Sequence, residues 1–127
     1  MKTLMLFLLL IPSVSFHHSD ILDNVAGALR SGNSKEVARY FDSNVAITLL
    51  DRESTYSKTQ GEMVLRDFFS KNQVQGFELK HRGSSGEGSS YGIGTLRTAT
   101  QSLRVYYFVK QRGSQQLIQE IRFEKQR

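Results

Sequence analysis

Apolar residues recur at helical spacing in the first half of the chain and at every second position in the last third. Ile21, Leu22, Val25 and Leu29 form one stripe, predicting a helix over residues 20–30. Ser19 or Asp20 can cap its first turn, and Gly32 stands where a helix stops. Asn33 or Ser34 opens a second, shorter helix through Phe41 that turns Val37, Ala38, Tyr40 and Phe41 inward. Alternation of Val45, Ile47 and Leu49 predicts a strand over 45–50, followed by a turn at 51–53 and a short strand near 54–57. The longest helix is predicted over 59–71, with Met63, Val64 and Phe68 as its buried face and Leu65 and Phe69 as further candidates. Four strands then follow, over 77–82, 91–100, 101–111 and 115–125. A flexible Gly/Ser loop at 83–90 joins the first two, and Arg112-Gly113-Ser114 turns between the last two.

Helices early and a strand meander late make an α+β fold. The expected architecture is three N-terminal-half helices packed on a strongly curved, mostly antiparallel sheet around a cone-shaped cavity. The order and the local sequence resemble the nuclear transport factor 2-like, or cystatin-like cone, superfamily. The residues that carry the resemblance are Leu29-Arg30-Ser31-Gly32-Asn33, then Val37 to Ile47 with its Asn44-Val45 strand entry, then Thr59 to Phe69 and the closing strands. The pattern covers nearly all of residues 20–125 and is similar to a small exported bacterial family of unknown function. It implies the cone fold. It carries no catalytic signature, and a fold alone does not define an activity.

The amino terminus changes the picture. Lys2, an apolar run from Leu4 to Ile11, and Ser13 and Ser15 two apart predict a signal peptide over 1–15 with cleavage before Phe16. The run is too short to span a membrane. The remaining residues, 16–127, make one domain, expected in the periplasm or outside the cell. With no cysteine in the chain, packing alone must hold it, and thiol chemistry and cysteine-ligated zinc are excluded. Charge is divided: residues 16–78 carry net −2 and residues 79–127 net +6. The basic residues are spread among strands and form no short cluster, so no nucleic-acid partner is expected.

Candidate chemistry is sparse. His17 and His18 precede the first helix, so His81 is the one histidine among the predicted elements, and strict alternation puts it on the face of Phe77 and Leu79. No carboxylate stands at a spacing that would orient it as a base. Tyr56, Tyr91 and Tyr107 are polar-tipped aromatics suited to an apolar pocket, and Tyr106 and Tyr107, being adjacent, must point to opposite sheet faces. Arg97 and Arg104 are candidates for an anionic group. A chain beginning at Phe16 has His18 third, an arrangement that can enclose Cu(II). No cofactor is implied. The leading reading is a non-catalytic binding module for a small apolar ligand or a protein, using the cone cavity or the sheet face. Ligand-binding candidates are His81, Tyr56, Tyr91, Tyr107 and Arg97. The alternatives are a cone-type acid–base enzyme, of the lyase or isomerase kind, and a structural module that forms a homodimer through its sheet.

Overall fold

The computed structural model describes residues 20–126. The expected leader, its cleavage site, His17 and His18 lie outside the described residues. Helix α1 (Ile21–Ser31) is capped by Asp20, whose side chain accepts from the Leu22 amide at 3.1 Å. It ends at Gly32, which takes a left-handed φ of 67° and donates to the Leu29 carbonyl. Asn33 caps α2 (Ser34–Ala38), which is shorter than its periodicity predicts. Tyr40 and Phe41 leave the helix because the sheet claims them. The Ile118 amide donates to the Tyr40 carbonyl at 2.6 Å, and Phe41 opens β1 (Phe41–Leu49).

Strand β2 (Arg52–Ser57) pairs with β1, and Ser57 then caps α3 (Lys58–Lys71). The last four strands are β3 (Val74–Gly86), β4 (Ser89–Thr98), β5 (Ser102–Arg112) and β6 (Gln115–Lys125). They form one six-stranded sheet in the order β2-β1-β6-β5-β4-β3. Every pairing is antiparallel except β1 with β6. The expected α+β class therefore holds, with three helices on one face of an open, mixed sheet.

Two local expectations are overturned. Residues 83–90 are not a loose loop, because β3 and β4 run on to a tight turn at Glu87-Gly88. Both turn residues have positive φ, 49° and 78°, as the favoured two-residue hairpin requires. Met63 is not on the buried face of α3 but is 59% exposed. The buried face runs through Gly61, Leu65, Phe68 and Phe69. A Cβ at Gly61 would lie 3.1–3.2 Å from Phe41, Ile47 and Val45, so this glycine sets the line along which α3 approaches β1.

The core lies between the helices and the inner sheet face. Leu103, Val105, Tyr107 and Val109 of β5 alternate into it, with Ile118, Ile121 and Phe123 from β6. Phe68 and Phe69 of α3 pack their rings 5.2 and 5.9 Å from that of Phe123. Phe68→Ala removes one ring of this trio and should cost about 3–5 kcal/mol of stability. Chemical denaturation of the variant measures it, and an unchanged midpoint would mean that another face of α3 meets the sheet.

Candidate functional site

The inner face of β4 carries Gly92 and Gly94, both buried. A Cβ at Gly92 would stand 2.6 Å from the ring of Tyr107, and one at Gly94 would stand 2.5 Å from the ring of Phe77. The glycines do not leave a cavity. They make the hollow into which these two rings fit, with centroids 6.5 Å apart. Tyr107 is fully buried, and its hydroxyl donates to the Leu22 carbonyl of α1 at 2.7 Å. Burial pushes that phenol above its ordinary pKa.

The rim of the cone is closed by charge. Arg82, opposite Gly92 on β3, reaches Asp23 at 2.7 Å and Asp20 at 3.4 Å at the start of α1. Its hydrogen bond holds the Asp23 carboxyl below the usual range. Farther along α1, Arg30 donates to the Phe77 carbonyl at 3.2 Å. The other perturbed carboxylate is Asp42, buried near the start of β1. Hydrogen bonds from Gln119, from the Ser43 amide and from Arg112 pull its pKa down to about 2. A carboxylate so engaged stays ionised at neutral pH and ties β1 to the β5–β6 hairpin.

The residues singled out from sequence are not brought together. A β-bulge between Leu79 and His81 inserts Lys80 as an extra residue, so His81 pairs with Ile93 and is exposed on the outer face. Its expected position beside Phe77 is therefore incorrect, and strict alternation cannot foresee the bulge. Tyr107 is inside, spent on the core. Tyr56 lies opposite Val45 and packs half-buried against the core from β2. Tyr91 is on the outer face, where its ring covers Gly83. Arg97 is exposed, with its guanidinium over Gly76. Among the described residues no three His, Asp or Glu side chains converge as a metal site.

The outer face of β4 and β5 holds a different constellation. Tyr91 pairs with Phe108 and Ile93 pairs with Tyr106, giving a two-by-two block of half-buried apolar side chains. The Tyr91 and Tyr106 rings are 6.1 Å apart and tilted by 32°. On β6, Arg122 lies over the Tyr106 ring at 5.2 Å and pairs with Glu120. Partial burial and the neighbouring Glu120 raise the Tyr106 pKa. Glu124 faces Arg104 at 3.9 Å, and on the β3 side Lys80, His81 and Arg104 border a notch of about 140 Å³. Of this group the sequence pattern points to Tyr91, Tyr106, His81 and Arg104. The shared parity of Tyr91 with Ile93 and of Tyr106 with Phe108 was the available signal for the block.

Three helices on one side of a six-stranded sheet give the fold seen in nuclear transport factor 2-like and cystatin-like structures. Solved structures with that fold resemble this chain at low identity. One is a domain of unknown function with a cystatin-like fold from Nostoc punctiforme, with TM-score 0.66 and 8% identity, covering 83% of this chain and 72% of that one. The particular family follows from residues 22–124, which match the model described as Domain of unknown function (DUF4783). The chain belongs to that family. It is similar to a DUF4783 family protein of Bacteroides fragilis, with 36% identity and TM-score 0.78, over 84% of this chain and 100% of that one. A second, from Bacteroides ovatus, is 34% identical with TM-score 0.77, over 82% of this chain and 94% of that one. No curated protein matches the chain.

Gly92→Ala tests whether the cone is filled. The added methyl collides with the Tyr107 ring, and overpacking of this kind should cost about 1–3 kcal/mol. A melting temperature equal to that of the parent protein would mean that the ring is not seated there and that the cone is open.

Proposed function

We propose that the chain is an exported, non-catalytic association module whose working surface is the outer sheet face and whose partner is a second copy of itself. The observation that carries this reading is the Tyr91–Phe108 and Ile93–Tyr106 block, with charged side chains around it. An apolar centre with a polar rim is the anatomy of a protein interface. The small-ligand version of the reading gains no support from the inner hollow of β4, which Phe77 and Tyr107 occupy. The acid–base reading has no support from His81, which the bulge directs away from the helices. Export rests on the leader pattern of residues 1–15.

The strand order lets a second copy cover the block. Across the outer face, Lys80 and His81 lie on the β3 side, and Glu120, Arg122 and Glu124 lie on β6, with Arg122 between the two acids. A two-fold axis parallel to the strands and between β4 and β5 sets β4 of one copy over β5 of the other. It also sets β3 over β6. Aromatic rings then meet aromatic rings, and Lys80 and His81 of one copy face the β6 row of the other. An isologous interface needs this kind of self-complementarity.

Sedimentation equilibrium of the exported form tests the proposal. The parent protein should be dimeric, and Tyr106→Glu should make it monomeric without changing its helical and strand content. Lys80→Glu should weaken the dimer, and adding Glu124→Lys should restore it. A parent protein that remains monomeric at every concentration, or a charge swap that restores nothing, contradicts the proposed interface.

A further inference from the structure

A second surface lies on the helix side of the molecule, away from the outer sheet face. Between α2 and the start of α3 is a groove of about 280 Å³, lined by Lys35, Ala38, Arg39, Lys58, Thr59 and Glu62. Ala38 is buried and forms its floor. Three of the six lining side chains are cations, contributed from both walls. The two acids nearby are already engaged: Glu36 by Arg39 at 3.0 Å and Glu62 by Arg66 at 3.6 Å. Neither Lys35 nor Lys58 has a carboxylate within ion-pair distance among the described residues.

The local structure brings these cations to one groove. The Lys58 ammonium is directed back across the groove, where it donates to the Arg39 carbonyl at 3.4 Å. Lys58 is also the first residue of α3, whose first turn contains no acid to offset it. Lys35 and Lys58 bring two ammonium groups without an ion-pair partner to one concavity, and an anion between them would convert their repulsion into attraction. Ammonium groups and the Thr59 hydroxyl are donors with freely rotating hydrogens, suited to the several oxygens of a tetrahedral oxyanion. The concavity has room for such a group and a small body attached to it.

We infer that the Lys35–Arg39–Lys58 groove is a binding site for a phosphate group. The site is distinct from the sheet-face interface, and each can fail without the other. Its chemistry is shared by free phosphate, a phosphate monoester and a phospholipid headgroup. The groove is open at the surface, so a phosphate attached to a larger body can enter without rearrangement of α2 or α3.

The test is titration of the exported protein with inorganic phosphate against chloride at matched ionic strength, followed by isotope-edited NMR. Phosphate should bind saturably, with the amide shifts of α2 and the first turns of α3 moving together. Lys35→Gln and Lys58→Gln should each raise the dissociation constant about tenfold, as the loss of one charge-assisted hydrogen bond does. Lys110→Gln, at the far end of β5, serves as the control and should change nothing. A parallel arm uses vesicles of phosphatidylcholine with and without phosphatidic acid. Binding to the phosphatidic acid vesicles that depends on Lys35 and Lys58 would identify a headgroup as the source, and binding to free phosphate alone would identify a soluble one. Shifts no larger in phosphate than in chloride would overturn the inference. So would equal weakening by Lys58→Gln and Lys110→Gln, because nonspecific screening affects all surface lysines alike.

Discussion

The rings of Phe77 and Tyr107 occupy the hollow that Gly92 and Gly94 leave on the inner face of β4, and the rest of the molecule is arranged around that contact. A curved sheet wrapped around helices encloses space, and the free energy of the fold depends on what fills it. Here the filling is aromatic and comes from the strands on either side of β4. Tyr107 stands on β5, directly opposite Gly92, and Phe77 on β3 reaches across to Gly94. The Tyr107 hydroxyl is paired with the Leu22 carbonyl, so the same side chain that plugs the cone also fixes α1 over it. A buried phenol without that acceptor would be costly, and the carbonyl offsets the cost of its burial. Arg82 then grips Asp20 and Asp23 at the rim.

A filled interior moves the functional question outward. In a fold that can hold a ligand inside, aromatic residues on the sheet would ordinarily be assigned to a pocket lining. Tyr91, Ile93, Tyr106 and Phe108 cannot serve in that way, because the strand parity that puts Tyr107 inside puts them outside. They are half-buried by their own neighbours, and Arg122 covers part of the Tyr106 ring. A contiguous apolar block on the surface of a sheet is a feature that protein contacts use.

The helix stripes and the β5 alternation were readable because a single element determines its own periodicity. Leu22, Val25 and Leu29 are buried on α1, and Leu103, Val105, Tyr107 and Val109 are buried on β5. The departures come from contacts between elements, which the periodicity of one element does not contain. Helix α2 ends early because Tyr40 and Phe41 pair with β6. Met63 is exposed because Gly61, not a large residue, marks the closest approach of α3 to β1. The Gly/Ser segment at 83–90 reads as a loop by composition, yet it pairs with β4, and Tyr91 covers Gly83. His81 changes face through one inserted residue in β3. The plugging of the cone depends on the joint register of β3, β4 and β5. No single strand carries that information.

The central claim is that the inside of the sheet is full and the outside is available. NMR of methyl-labelled protein during titration with a small apolar probe such as xenon tests both halves at once. The account predicts that the inner methyls of Leu96, Val105 and Ile121 stay unshifted while the outer methyl of Ile93 responds. A saturable shift of Leu96, Val105 and Ile121 would reveal an open interior and contradict the account.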